Sequence, residues 1–427
     1  MSYFPLLFAA VGERNFYSGV VLGTDGAFGK GHINGLIHWD GKRKVIMAMA
    51  PQRTGKSVLL FRVVEETFVK HGLPWLVIDP KKEFWVHKKK LEDRFLPALL
   101  GHPEEVVGRP VDFGDLIVVF TPVVLRDAAE YSDFFVSPFL SDFLALKDLN
   151  LLEGLLMEFC EIGGDGLIAT RRMLQTTLFR MRRKSRDRQT FKEWLLECSR
   201  YNARMPPGQK KSWVLIEKLT SLVNAEKVDV VGSVPLRSIR DAMLDGKIVV
   251  LQTNLSSTPQ AEYDVQMCLA MALCVQDRMF FGKGFGVFCD EIDKPCPTGS
   301  VRSLSKQMII DIALKFGAYN IWLVGITQKP ELASPILFEQ ADIIFGARFS
   351  YDNVQWLTDK TPCTRNIAQT LLGLRSKETP RVEWAMLKPN DVEELVLDAG
   401  NTVAMTKTDV FYPLPTRSQF HTVGVRP

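Results

Sequence analysis

The stretch APQRTGKS, residues 50–57, indicates the fold of this chain. It lies between an apolar run at residues 44–49 and a segment with helical character at residues 55–70. Gly-Lys-Ser at a turn from strand to helix is typical of a phosphate-binding loop, in which backbone N–H groups surround the phosphates. The usual pattern opens with glycine where this chain has Ala50, and a methyl group fits there if the backbone avoids the left-handed region. The predicted nucleotide-binding residues are Pro51, Gln52, Arg53, Thr54, Gly55, Lys56 and Ser57.

Two side chains of this loop have predicted chemical roles. We expect Lys56 to reach the β- and γ-phosphates and the Ser57 hydroxyl to hold Mg²⁺. The loop therefore predicts ATP and Mg²⁺ as cofactors. The alternative is an ordinary tight turn between a strand and a helix, because a bare Gly-Lys-Ser is common by chance.

A second motif bears on what happens to the nucleotide. The apolar strand predicted at residues 286–290 ends in Asp290, and Glu291 follows it. Asp290 is the candidate metal ligand, and Glu291 is the candidate base that polarises the water attacking the γ-phosphate. This pair favours hydrolysis over transfer to a bound substrate. A solvated acidic pair at a strand end is the alternative, and Lys56 upstream favours the catalytic interpretation.

Four further polar residues lie at or just after the ends of predicted strands. Gln328 is a candidate sensor that positions water, and Arg348 is a candidate arginine finger for a neighbouring subunit. Asp79 and Glu83 flank a turn at the carboxyl edge of the sheet, where ligands bind in such folds. The alternatives are a polar strand end for Gln328, a surface or salt-bridged Arg348, and a solvated turn at residues 79–83.

Strands and helices alternate around these motifs. Predicted strands include residues 75–79, 116–120, 247–251, 321–327 and 342–347, and predicted helices include residues 261–280 and 303–316. This alternation predicts an α/β fold with a mostly parallel sheet covered on both faces. We predict a β-rich segment at 1–43, an ATPase core from 44–125 and 236–380, an α-helical insertion at 126–235, and a C-terminal extension at 381–427 that packs on the core.

The insertion contains helix candidates at residues 151–159 and 173–181 and a basic segment at residues 171–188. This segment has eight basic residues and one acidic residue. Two interpretations are open: a DNA-facing surface that attracts phosphates without sequence preference, or a solvated helix face. The candidate DNA-binding residues are Arg180, Arg182, Arg183, Lys184 and Arg186.

Composition excludes several classes of protein. The seven scattered cysteines form no C-x-x-C pair, which predicts reduced core thiols in a cytosolic compartment. The six histidines do not cluster: His32 and His38 have no second ligand at metal spacing, so we predict no zinc site. Apolar runs fall short of the roughly 18 residues that a spanning helix needs, so we expect a soluble protein without membrane insertion.

The ordered set of motifs resembles the HerA/FtsK superfamily of P-loop DNA-translocating ATPases. Beside the loop and the acidic pair, it includes D-P-K-x-E at residues 79–83, T-Q-K-P at 327–330 and an arginine segment at 346–352. The resemblance covers residues 44–125 and 236–358. It implies a RecA-like sheet and a hexameric ring around DNA. It also implies that Asp290 and Glu291 are the metal and catalytic acids, Gln328 the sensor and Arg348 the trans-acting arginine.

Within this superfamily, HerA-type proteins carry an N-terminal β-barrel, and FtsK-type pumps carry membrane helices and a winged-helix reader. With 49 residues before the loop we expect no full barrel, and the motor is more similar to genome-packaging ATPases of tailless viruses or motors of mobile elements. The leading hypothesis is an ATP-driven DNA translocase that acts as a ring, with a capsid or secretion-apparatus partner, in the cytoplasm or in a virion. The alternatives are a coupling or assembly ATPase of a secretion or conjugation apparatus, and a slow nucleotide-binding scaffold that moves nothing.

Overall fold

The computed structural model describes residues 20–24, 33–38, 40–52, 54–88, 111–160, 162, 167–184, 189–206, 213–253, 260–277, 284–300, 303–315, 319–348, 350–361, 366–374, 383–396 and 402–413. Its strands are β1 (Val20–Thr24), β2 (Ile33–Ile37), β3 (Val45–Met49), β4 (Trp75–Asp79), β5 (Ile117–Pro122), β6 (Phe134–Ser137), β7 (Val234–Pro235), β8 (Ile248–Gln252), β9 (Phe285–Cys289), β10 (Ile321–Thr327), β11 (Ile343–Gly346), β12 (Trp384–Val396) and β13 (Thr402–Pro413). Its helices are α1 (Lys56–His71), α2 (Leu140–Ala145), α3 (Leu149–Phe159), α4 (Leu167–Arg183), α5 (Phe191–Ala203), α6 (Trp213–Asn224), α7 (Arg237–Leu244), α8 (Gln260–Val275), α9 (Leu304–Leu314), α10 (Pro335–Glu339), α11 (Tyr351–Lys360) and α12 (Asn366–Gly373).

These strands form one sheet in the order β2-β1-β13-β12-β11-β3-β10-β9-β4-β8-β5-β6-β7. Every neighbouring pair from β11 to β7 is parallel, and the strands beyond β11 are antiparallel. All residues of β3, β4, β8, β9, β10 and β11 are buried, as expected for parallel strands covered on both faces. The predicted α/β fold with a mostly parallel sheet is confirmed.

The segment between β5 and β8, predicted as an α-helical insertion at 126–235, contains two short strands besides its helices. It holds helices α2 to α7, but β6 and β7 extend the parallel sheet beyond β5. These strands have four and two residues, too few to show a period in the sequence. The buried Asp142 joins the two ends of the segment, because its carboxylate accepts the backbone N–H groups of Phe139, Leu236 and Arg237.

The C-terminal extension contains two long strands. β12 and β13 are long and form an antiparallel hairpin that joins the sheet at β11. The pairing shifts register between Lys388 and Val392, next to Pro389, which has no N–H to donate. This shift interrupts the alternation of residues along β12, so the sequence pattern did not indicate one long strand. At the other end of the chain, β1 and β2 pair with each other and β1 pairs with β13.

Two further observations concern composition. The described cysteines, which are Cys160, Cys198, Cys268, Cys274, Cys289 and Cys296, are all buried, whereas Cys363 and His32 lie outside the described residues. Among the helices of the described ranges, none combines the length and the apolar character that crossing a membrane requires.

Strand order places the predicted motifs at one edge of the sheet. β10 lies between β3 and β9, with Thr327 opposite Met49 and Gly325 opposite Cys289. β4 lies on the other side of β9, with Ile78 opposite Cys289. Since these strands are parallel, the segments that follow their carboxyl ends emerge side by side. The phosphate loop, the acidic pair and the turn after β4 are therefore neighbours in space.

Candidate nucleotide-binding site

The phosphate loop turns into α1 at Gly55. Gly55 has φ 80° and ψ 20°, a left-handed conformation that glycine adopts without a steric penalty. The Thr54 hydroxyl donates to the Pro51 carbonyl at 2.9 Å and closes the turn. Ala50 is buried and is not among the residues with positive φ. Its backbone therefore avoids the left-handed region, so alanine can occupy the position where the usual pattern has glycine. Arg53 lies outside the described residues.

Lys56 is the first residue of α1 and is only 6% exposed. Its ammonium donates to the carbonyl of Ala50 at 2.8 Å and also to that of Pro51. Burial lowers the pKa of Lys56 to about 8, and the nearby Lys81 lowers it too, while Asp290 and Glu291 act in the opposite direction. Among the described residues its hydrogen bonds go to neutral carbonyls. A desolvated cation with such partners is a strong partner for an incoming phosphate.

The acidic pair follows β9 at the same edge. Asp290 is 1% exposed and Glu291 is half-buried. The ammonium of Lys81 contacts both, at 2.9 Å from Asp290 Oδ2 and 3.6 Å from Glu291 Oε1. Burial by itself would lower the pKa of Lys81, but its attraction to Asp290 outweighs this and raises the pKa. Lys81 is the lysine of the D-P-K-x-E motif at residues 79–83, and it is a site residue that was not predicted.

Glu291 is held in an unfavourable backbone conformation. Its φ is 55°, in the left-handed region, and its N–H donates to Asp290 Oδ1 at 3.1 Å. The next residue fixes the turn, because the N–H of Ile292 donates to the carbonyl of Ile326 on β10 at 2.8 Å. Residues other than glycine are sterically strained in this conformation. Such conformations persist mainly where the surrounding structure enforces them, often at functional sites.

The candidates after β10 and β11 lie near the phosphate loop. Gln328 is half-buried and directly follows β10, whose last residue, Thr327, donates its hydroxyl to Asp293 Oδ1 at 2.8 Å. Arg348 is exposed two residues after β11, where Gly346 pairs with Met49. Within the part of the chain that the structure describes, the Arg348 side chain makes no hydrogen bond or ion pair. The sensor and finger roles of these residues stay predictions.

Asp79 ends β4 and is fully buried beside the acidic pair. Its Oδ2 accepts the N–H of Phe84 at 2.9 Å, and its Oδ1 has no hydrogen-bond partner among the described residues. Burial raises the pKa of Asp79 to about 7, and the negative charge of Asp290 also raises it. The backbone N–H groups of Phe84 and Glu83 lower this pKa, but they do not cancel the effect of burial. Glu83 itself is exposed.

The residues present fit a divalent cation. The half-buried Ser57 hydroxyl and the Asp290 carboxylate are hard oxygen donors, and the carboxylate already accepts a cation, the Lys81 ammonium. In the described residues no group of three or more His, Cys, Asp or Glu could hold a metal ion. An ion bound here would therefore take most of its ligands from phosphate and water, which is usual for Mg²⁺.

The basic candidates lie on or just after α4, and several of them have partners within the chain. Arg182 donates to the carbonyl of Leu146, and Lys184 forms an ion pair with Glu197 at 3.1 Å. The exposed Arg183 stacks on the ring of Phe179 at 4.5 Å, and Arg180 is half-buried. Arg186 lies outside the described residues. DNA binding by this segment stays a prediction.

Comparison with known proteins gives matches in fold only. No family model matches the chain, and no curated protein matches its sequence. VirB4 of Thermoanaerobacter pseudethanolicus has a TM-score of 0.54 and 13% identity, over 95% of this chain and 97% of that chain. The bacterial conjugative coupling protein TrwB has a TM-score of 0.47 and 12% identity, over 95% and 84%. The genome packaging NTPase B204 from Sulfolobus turreted icosahedral virus 2, in complex with AMPPCP, has a TM-score of 0.37 and 8% identity, over 86% and 98%.

The fold and the loop together define a class of protein. The chain has the RecA-like fold of P-loop ATPases that the sequence motifs predict. At 13% identity the likeness to VirB4 concerns the fold, and it spans nearly all of both chains.

The strained backbone at Glu291 predicts that glycine is a more stable replacement than alanine there, the reverse of the usual order in a helix. Glycine tolerates φ 55° and alanine does not, so Glu291→Gly should unfold with a free energy about 1 kcal/mol higher than Glu291→Ala. At Glu217, exposed within α6, alanine should instead be the more stable by about 1 kcal/mol. Urea denaturation of the four variants measures both differences. Alanine more stable than glycine at both positions would show that the backbone at Glu291 is not strained.

The raised pKa of Asp79 predicts a pH-dependent effect of Asp79→Asn. In the folded protein the carboxyl keeps its proton up to about pH 7, whereas the unfolded chain loses it near its ordinary value of 3.8. The folded state therefore binds more protons between these values, and wild-type stability falls as the pH rises through them. Asparagine does not titrate, so the variant should gain about 3 kcal/mol relative to wild type from about pH 5 to about pH 8. Denaturation at several pH values tests this, and a difference independent of pH would contradict it.

Proposed function

We propose that this chain is an ATP-hydrolysing motor that moves DNA and works as a ring of identical subunits, with six as the expected number. One observation carries the proposal of hydrolysis. The buried Lys56 of the phosphate loop and the acids Asp290 and Glu291 form one group of interacting charges at the carboxyl edge of the sheet. A loop for phosphate and a carboxylate able to activate water, side by side, are the minimum that nucleotide hydrolysis requires.

Each residue of this group has a proposed role. Lys56 leaves the carbonyls of its own loop and pairs with the phosphates, while the N–H groups at the start of α1 surround them. Ser57 and Asp290 would hold Mg²⁺, which neutralises charge on the phosphate oxygens when it is bound. Glu291 accepts the proton of the attacking water, and Gln328 orients that water.

The exposure of Arg348 supports a role between subunits. Arg348 follows β11 at the carboxyl edge that carries the phosphate loop, it is exposed, and it has no hydrogen-bond or ion-pair partner among the described residues. In a ring, this arginine would reach the phosphates held by a neighbour and stabilise the charge that develops during hydrolysis. Each subunit would then be incomplete without the next, which links hydrolysis to ring assembly.

The DNA part of the proposal depends on the basic segment. Its exposed Arg183 and half-buried Arg180 lie on a helix outside the ATPase site. Among the described residues, neither arginine has a carboxylate partner, unlike Lys184, which pairs with Glu197. Such contacts to phosphates carry no base preference, as a motor that travels along DNA requires. Genome packaging or transfer of a mobile element is the process we propose, in the cytoplasm or in a virion with a capsid or secretion-apparatus partner.

The experiment is ATP hydrolysis measured with and without DNA, for the wild type and for Glu291→Gln. We expect DNA to stimulate wild-type turnover several-fold, and Glu291→Gln to lose at least a hundredfold of that activity, since a general base contributes about 10² to 10⁴ in rate. Glu331→Gln, an exposed acid after β10, is the matched control and should behave as wild type.

Three outcomes would contradict the proposal, each in a different part. Robust turnover that ignores DNA would favour a coupling or assembly ATPase of a secretion or conjugation apparatus. Absence of turnover in the wild type would favour a nucleotide-binding scaffold. Turnover in Glu291→Gln equal to wild type would remove Glu291 as the base while leaving ATP hydrolysis intact.

A further inference from the structure

Two adjacent lysines after β4 have opposite surroundings. The ammonium of Lys81 lies against the acidic pair, 2.9 Å from Asp290 Oδ2 and 3.6 Å from Glu291 Oε1. The ammonium of Lys82 instead donates to the carbonyl of Ala128 at 3.1 Å, at the surface. The backbone at Lys82 has φ 58°, so a left-handed turn separates the two side chains. Only the first of the two lysines belongs to the site.

The contact of Lys81 balances charge in a buried place. Asp290 is almost completely buried and Glu291 is next to it, so the two carboxylates repel each other unless a cation lies between them. Lys56 interacts with the two acids through its charge, but its ammonium donates its hydrogen bonds to the carbonyls of Ala50 and Pro51. In the described site, Lys81 is the cation in direct contact with both acids.

The same contact blocks the oxygen that a metal ion would use. Asp290 Oδ2 accepts the Lys81 ammonium, and Oδ1 accepts the N–H of Glu291. A divalent cation that binds Asp290 has to compete with a positive charge already at hydrogen-bond distance. Two cations cannot share this carboxylate closely without strong repulsion. Lys81, at 29% exposure, has room to move toward another anion.

We propose that Lys81 is the resident counter-cation of the acidic pair: it holds Asp290 and Glu291 in place and keeps divalent metal out until nucleotide arrives. The proposal rests on the proposed function in one respect, the assignment of Asp290 as a metal ligand. Nucleotide phosphates offer Lys81 a new anionic partner, so its departure frees Asp290 Oδ2 for the metal. Lys81 is thus a positioning residue that links metal entry to nucleotide binding.

The test measures Mn²⁺ binding to the nucleotide-free protein, from the electron paramagnetic resonance signal of the free ion. Removing the charge in Lys81→Met should expose the acidic pair and tighten Mn²⁺ binding at least tenfold over wild type. Lys81→Gln keeps a hydrogen-bond donor without the charge and should tighten binding similarly, which also covers a Met variant that does not fold. Lys81→Arg should bind Mn²⁺ as weakly as wild type.

Two controls localise the effect. Lys82→Met removes the neighbouring lysine and should leave Mn²⁺ affinity unchanged. Adding Asp290→Asn to Lys81→Gln should abolish the gain, because the ion then lacks its carboxylate. Equal Mn²⁺ affinity in wild type, Lys81→Met and Lys81→Gln would overturn the proposal. The assay contains neither ATP nor DNA, so this failure is distinct from absence of ATP hydrolysis.

Discussion

The site depends on the parallel pairing of β10 with both β3 and β9. That pairing puts Thr327 opposite Met49 and Gly325 opposite Cys289, so the phosphate loop and the acidic pair emerge from strands separated by one strand. Gly325 is part of the constraint, because an added Cβ would lie 2.6 Å from the side chain of Ile292, directly after the acids. A slip of one residue in this register would turn the buried side chains to the opposite face of the sheet.

Within this frame, the two lysines of the site are held by internal partners. Lys56 bonds to loop carbonyls, and Lys81 bonds to the acids. Burial by itself lowers the pKa of both ammonium groups. The pKa of Lys56, which bonds to carbonyls, is lowered to about 8. The pKa of Lys81 is raised instead, because it contacts carboxylates. In the mechanism that we propose, both contacts yield when phosphate and metal bind, so nucleotide arrival is the event that reorganises the site.

The sequence predicted the strands that carry the motifs because each is a short apolar run ending in a polar or glycine-rich turn. Strands β4 and β10 have the predicted bounds, and α1 begins and ends within one residue of its prediction. It did not predict β6 and β7, which are too short for a period. Nor did it predict the contact of Lys81 with Asp290, because the two residues lie 209 positions apart in the sequence. The left-handed Glu291 also left no sequence signal, since glutamate does not favour that conformation.

The measurement that tests the central claim most directly is the binding of a non-hydrolysable ATP analogue with Mg²⁺, by isothermal titration calorimetry. We expect one analogue per chain in the wild type and a loss of about a hundredfold in affinity, or about 2.7 kcal/mol, in Lys56→Ala. Lys192→Ala, an exposed lysine on α5 outside the site, should bind as wild type does. Undiminished binding in Lys56→Ala would contradict the assignment of residues 50–57 as the phosphate loop.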